Sequence, residues 1–411
     1  MNDTSLRKLE ERLTALRNLD ERREAVLRSI EEQGALTEEI RQALEETLTL
    51  TAVEDIYRPY KQKRKTRASA AKEKGLEGLA DFLLAQGKGS PEEEAVKYAD
   101  PEKGVPDIKA ALQGAMDIIA EKVSDDSQNR ERLRKLAEKE ADVAVKAAAG
   151  EDSVYSQYYD FSRSVSKMKG YQVLAINRGE KEGFLKVSMD IDDVKSKEIL
   201  KRSLGLKLSP SSGYLEEACG DSWSRLIKPS IEREIRGNLT DAAADGAIEN
   251  FAMNLKPLLM QPPVKGKVTM GLDPGYTHGC KVAVVDGTGK VLDTDVVYLT
   301  FSKSRKAEGE NILKSLIKKY GVENIAIGNG TASRETEAAV CEILPEMENV
   351  SYAIVNEAGA SVYSASKLAA EEFPEYDVNI RSAVSIARRL QDPLAELVKI
   401  DPMAIGVGQY Q

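Results

Sequence analysis

The feature that most constrains this chain is a change of grammar at Pro262–Pro263. Before it, apolar residues recur every three or four positions, the spacing of a buried helix face. After it, short apolar runs alternate with helical patterns. Two adjacent prolines stop a helix, because proline has no N–H to donate and pushes its predecessor out of the helical region. A chain of 411 residues therefore divides there, into region 1–263 and a following region that begins at 264.

In region 1–263 the spacing of Leu6, Leu9, Leu13 and Leu16 predicts a first helix that stops at Gly34. Thr37 caps a second helix, with Glu38 and Glu39 in its positive first turn. Thr51 and Glu54 have capping-box spacing and open a third. Helical patterning resumes at 78–85, 107–122 and 127–149, and again at about 212–226 and 240–255. Only Tyr171–Ile176 and Phe184–Met189, separated by the turn-rich Asn177–Gly183, read as strands, and they predict a β-hairpin.

Beyond the prolines, strands are expected at 267–272, 280–285 and 291–299, linked by tight turns. Helix, strand, helix, strand and further helices follow. Three hairpin-linked strands and then alternating α and β units make one sheet with mixed strand directions. The order βββαβαβα is the RNase H-like arrangement. The fold class is thus multidomain: a mainly α N-terminal region with a small β-hairpin, then an α/β RNase H-like domain with a mixed sheet.

Composition excludes several functions. No apolar run approaches the roughly 18 residues that span a bilayer, and the charged start MNDTSLRKLEERL is not a signal peptide. Cys219, Cys280 and Cys341 lie far apart, outside any CxxC spacing, which fits a reducing cytoplasm and excludes a zinc ribbon. His278 is the single histidine, so mechanisms needing two are excluded. A net charge of −9 argues against coating nucleic acid by bulk charge, but not against a local basic patch.

Several long motifs carry a resemblance. LTAVEDIYRPYKQKRKTRASAAKEKGLEGLADFLL, LAINRGEKEG, MGLDPGYTHGCKVAVVDGTGKVLDT, IGNGTASRETEA, VNEAGASVYSASKLAAEEFP and SIARRLQDPLAELVKIDPMAIGVGQYQ resemble, in the same order, the Tex family of transcription accessory proteins. The resemblance implies a helical N-terminal region, a YqgF-type RNase H-like domain over 264–391, and the beginning of a helix-hairpin-helix region at 392–411. It also implies a C-terminal OB-fold RNA-binding domain beyond Gln411, and a start inside the family's opening helices. On this expectation the chain is a piece lacking the domain that supplies most RNA affinity.

Three carboxylates are candidates for an acidic, metal-binding and catalytic site. Asp273 closes the first strand of the second region, Glu357 follows its last strand, and Asp392 precedes Pro393. Two-metal nucleases of the RNase H type hold acids rigidly at such strand ends against Mg²⁺, and the YqgF resemblance points to the same positions. Simpler roles compete. Asp392 with Pro393 is a good N-cap with proline at the first helical position, Asp273 can accept N–H bonds in its own Pro-Gly turn, and Glu357 can neutralise a basic neighbour. Asn329 stands where related resolvases carry a further acid. The turn Gly271–Thr277 also echoes a phosphate-binding loop, and His278 is the only histidine available as an acid or base.

The segment Tyr57–Arg67 carries six cations and no acid: Arg58, Lys61, Lys63, Arg64, Lys65 and Arg67. Cations pair with phosphates, and Tyr57 and Tyr60 can either stack on bases or pack against helices. Arg178, in the expected hairpin turn, is a further candidate contact. Three functions remain open. One is a non-enzymatic scaffold that binds RNA or DNA and joins it to RNA polymerase or the ribosome, needing no cofactor. The others are an Mg²⁺-dependent nuclease using Asp273, Glu357 and Asp392, and a protein-interaction module.

Overall fold

The computed structural model describes residues 3–61, 65–148 and 153–405. They form two compact units that divide between Ala243 and Ala244. The division falls inside one long helix, Lys228–Leu259, which ends just before Pro262–Pro263.

The first unit is mostly helical. Its opening helix, Asp3–Glu32, ends before Gly34, whose φ of 67° suits glycine. Thr37 caps Glu38–Glu45 by accepting from Ile40 N–H. Thr49, and not Thr51, caps Leu50–Tyr57. At the centre lies Ile108–Asp125, whose Ala111, Ala115 and Ile119 are fully buried against Leu76, Leu79 and Leu83.

Two further expectations fail in this unit. The stretch predicted as the first hairpin strand is helical, within Gly170–Lys181. Gln172 Oε1 accepts from Lys169 N–H at 3.1 Å and closes the helix start, while Val173 and Ile176, three apart, are buried together. The β-favouring composition of Tyr171–Ile176 is overruled by that packing. Conversely, the helix expected over 127–149 ends at Glu140, and Asp142–Ala147 is a strand. Val143 and Val145 point inwards at the period of two. This strand (β1) is the middle of an antiparallel sheet with Asp160–Ser164 (β2) and Leu185–Asp190 (β3), in the order β2-β1-β3.

The second unit is built on a five-stranded mixed sheet. Its strands are Thr269–Asp273 (β4), Cys280–Val285 (β5), Val291–Val297 (β6), Asn324–Gly328 (β7) and Ser351–Val355 (β8). The order is β6-β5-β4-β7-β8, antiparallel from β6 to β4 and parallel from β4 to β8. The helices Lys303–Tyr320 and Ser333–Ile343 share a core with one face, through Leu313, Ile317, Ala339 and Val340. Val378–Gln391 covers the other face through Ala383, Val384, Ile386 and Ala387. It lies so close that a Cβ on Gly271 of β4 would overlap the carbonyl oxygen of Ala383. This is the mixed α/β sheet expected from the sequence.

Candidate functional site

Strand register brings the acidic candidates to the sheet's carboxyl edge. Asp273 ends β4 opposite Lys281 of β5, and β7 and β8 run parallel to β4, so Gly328 and Val355 end at the same edge. Glu357 follows two residues after β8. Its carboxylate lies over the Gly328–Asn329–Gly330 turn, where a Cβ on either glycine would overlap a carboxylate oxygen. Side chains are excluded there because the acid already fills the space. Asn329 is committed to structure: its Oδ1 accepts from Glu357 N–H at 3.1 Å. Arg389 clamps the same loop from the covering helix, donating through Nη1 to the carbonyls of Asn356 (2.8 Å) and Ala358 (2.9 Å).

The two carboxylates feel one another. Burial pushes the Asp273 carboxyl above its ordinary range, against a Ser382 hydroxyl that donates to it and the nearby Lys281 ammonium. Burial also raises Glu357, the negative charge of Asp273 raises it further, and Gly330 N–H and Arg389 act in the opposite direction. Glu357 Oε2 is buried without a hydrogen-bond partner, as are Nε and Nη2 of Arg389, a residue only 3% exposed. Burial lowers the Arg389 pKa to about 10.

Asp392 does not join this pair. It caps Pro393–Leu397, accepting from Ala395 N–H at 3.2 Å, and pairs with Lys265 at 3.4 Å. The covering helix explains the separation. Ser382 near its start meets Asp273, whereas Gln391 at its end donates to the carbonyls of Lys267 and Asp286, at the other edge of the sheet. Residues 382 to 391 of an α-helix span about 14 Å. Among the described residues no three His, Cys, Asp or Glu side chains form a metal-holding group. A two-metal centre therefore does not fit: the third acid is at the opposite edge, a serine faces Asp273 and the Asn329 side chain is occupied. Ser382, Lys281 and Arg389 were not foreseen. Ser382 and Arg389 lie seven apart on one helix face, but nothing local says which face meets the sheet. His278 is exposed in the Pro274–Gly279 loop, while Cys280 is buried, with its thiol pKa raised by burial.

The basic segment is more mixed than its sequence. Tyr57 and Tyr60 pack against the cluster of Leu19, Val26, Ile30 and Leu44, and the Tyr57 hydroxyl bonds Ser29 Oγ at 2.9 Å, so packing is their role. Arg58 is half-buried beside Arg130, and its Nε has no partner. Lys61 lies 3.9 Å from Glu54, Lys65 lies 3.2 Å from Glu73, and Arg67 is exposed at the start of Arg67–Glu73. Lys63 and Arg64 lie outside the described residues. Arg178 is on the helix Gly170–Lys181 and not in a hairpin turn, with Nε 3.3 Å from Glu182.

Both units resemble parts of known proteins. Residues 267–391 match the model of the Tex protein YqgF-like domain, and residues 86–251 match the Tex central region-like model. The transcriptional accessory protein Tex of Neisseria gonorrhoeae is 45% identical, over all of this chain and 55% of its own length. Protein tex of Bordetella pertussis is 43% identical over all of this chain and 54% of its own. This chain belongs to the Tex family. The human S1 RNA-binding domain-containing protein 1 is 37% identical over 99% of the chain and 43% of its own length. The chain thus spans about half the length of the curated relatives it matches. The sheet bearing Asp273 and Glu357 lies within the Tex YqgF-like match, as does Ser382, whereas Asp392 falls just beyond it. No helix among the described residues is long and apolar enough to cross a membrane.

Proposed function

We propose that this Tex-family chain is a non-catalytic nucleic-acid-binding scaffold of a transcription accessory protein, linking RNA or DNA to the transcription or translation machinery. The observation that carries the non-catalytic part is the position of Asp392. With that acid at the opposite sheet edge, Asp273 and Glu357 lack the third carboxylate a two-metal nuclease would use. The scaffold needs no cofactor, and Mg²⁺ has no assigned step. Its nucleic-acid contacts would include Lys61, Lys63, Arg64, Lys65 and Arg67. The names of the relatives, a transcriptional accessory protein and an S1 RNA-binding protein, support the same reading.

Two measurements test it. Branched DNA, single-stranded DNA and RNA incubated with the chain in Mg²⁺ and Mn²⁺ are expected to stay intact. Cleavage that disappears in Asp273→Asn would replace the scaffold by a nuclease. For binding, each phosphate-pairing cation removed should flatten the slope of log K against log salt by about 0.7 on single strands. Replacing Lys63, Arg64 and Lys65 together by Ala should therefore flatten it by roughly two. An unchanged slope would move the binding surface elsewhere, and a parent chain that binds neither RNA nor DNA at low salt would remove the reading.

A further inference from the structure

The carboxyl edge of the five-stranded sheet carries a second set of side chains around the acid pair. Tyr298 follows β6, whose end pairs with the start of β5 beside Asp273. The Tyr298 ring and the Phe301 ring meet edge to face, with centroids 5.0 Å apart. The Arg305 guanidinium lies 5.0 Å from the Tyr298 centroid and 5.7 Å from that of Phe301. Phe301 is nevertheless 42% exposed. Tyr298 also rests against Gly279, where a Cβ would stand 3.0 Å from the ring. Gly279 closes the loop that presents Tyr276, 48% exposed, with its hydroxyl held by Glu335 at 2.8 Å. Two exposed rings, Phe301 and Tyr276, and the half-buried Tyr298 therefore flank one edge.

Besides the acid pair, this edge carries cations held outside ion pairs. Lys281, Lys303, Arg305 and Arg334 make no salt bridge among the described residues, unlike many lysines elsewhere in the unit. Lys303 and Arg334 lie in the first turns of Lys303–Tyr320 and Ser333–Ile343, where helix dipoles add further positive potential. Segment 300–307 contains no acid, in a chain whose net charge is −9. Glu335, next to Arg334, accepts from the Tyr276 hydroxyl, which holds its carboxyl below the ordinary range.

We infer that this edge is a stacking platform for single-stranded nucleic acid, with bases on Phe301 and Tyr276, Tyr298 supporting Phe301 from behind, and phosphates drawn to Lys303, Arg305 and Arg334. Unpaired bases offer π faces to exposed rings and an arginine plane, and the backbone between them supplies the negative charge. Duplexes hide those faces, so the platform favours single strands. This inference rests on the scaffold reading above and adds a binding surface on the second unit, separate from residues 61–67.

The 411-residue chain offers a direct test, because its one tryptophan, Trp223, is buried at 1% exposure. In Phe301→Trp, a new exposed indole reports stacking. Twelve-nucleotide oligouridylate and oligothymidylate at low salt should quench it, while inorganic polyphosphate should not. Quenching by RNA alone assigns RNA, and quenching by both assigns single strands in general. Phe301→Ala should weaken oligonucleotide binding roughly 5- to 150-fold, the range for removing one base–aromatic stack. Indole emission unmoved by saturating RNA and DNA, or quenched equally by polyphosphate, overturns the platform. If Phe301→Ala binds like the parent while the Lys63, Arg64 and Lys65 variant loses salt dependence, the platform fails and the scaffold stands. If the parent binds neither oligonucleotide, both fail.

Discussion

Two buried charge clusters, one in each unit, follow opposite rules. In the first unit Asp55 is 5% exposed and Arg130 is 1% exposed. Arg130 Nε meets Asp55 Oδ1 at 2.9 Å, Arg134 bonds both Asp55 and Glu234, and Arg130 Nη2 donates to Ser230 Oγ at 2.6 Å. Opposite charges from the helices Leu50–Tyr57, Ser127–Glu140 and Lys228–Leu259 pair with one another, although Arg58 lies beside Arg130 as a like charge and Arg130 Nη1 has no partner. In the second unit Asp273 and Glu357 are like charges held together, with one carboxylate oxygen unpartnered. The first cluster is accounted for by the helices it ties together. The second raises the cost of ionising its own members, and packing alone gives no reason for it. That asymmetry marks the sheet edge, and not the ion network, as the place to look for function.

The contrast can be broken most forcefully at Asp55. Asp55→Ala should cost about 3–5 kcal/mol, because it strands buried Arg130 without its counter-charge. Urea denaturation of the parent and the variant measures this, and a loss below about 1 kcal/mol would mean the network is not the paired unit described.

Next is the turn beneath Glu357. Gly330→Ala forces the carboxylate out of its place and should cost about 1–3 kcal/mol, as overpacking does. In a Glu357→Ala background the same substitution should cost much less. A double-mutant cycle with no coupling would show that the glycine serves some other purpose.

Asp392 sharpens the comparison from the other side of the sheet. As an N-cap, Asp392→Ala should lose about 1 kcal/mol of stability, while Asp392→Asn should change it only by a few tenths. Were Asp392 instead a metal ligand, the Asn variant would lose metal binding at little cost in stability, and titration with Mn²⁺ would reveal it.

The smallest effect concerns pH. Asp273 and Glu357 have carboxyl pKa values raised on folding, so the folded chain binds their protons more tightly than the unfolded chain. Their contribution is therefore most favourable below the ordinary carboxyl range and is lost as pH rises through the raised values, the reverse of a salt-bridged acid. Glu357→Gln should be increasingly stabilising relative to the parent as pH rises from about 4 to 7. A difference in Tm that is flat across that range, or larger at low pH, would contradict the arrangement.

Much of this was legible locally. The alternation after Pro262–Pro263 specified a mixed sheet, because strand and helix periods are set by the next few residues. It also placed Asp273 at a strand end and Glu357 just past one. Local pattern failed where partners decide the state. Tyr171–Ile176 has a strand's composition, but buries Val173 and Ile176 as one helix face. Asp142–Ala147 reads as the continuation of the helix before it, but pairs on both sides, with β2 and β3.

By itself, then, the sequence determined which residues would be acids, caps and strand ends, since those properties travel with short windows of chain. Only the tertiary structure decided which of them meet. The helix Val378–Gln391 lies along β4 so that Ser382 reaches Asp273, and its length carries Asp392 to the far edge. Direction and distance along a packed helix are properties of the face it covers. No local spacing encodes that face, and it separated Asp392 from Asp273 and Glu357.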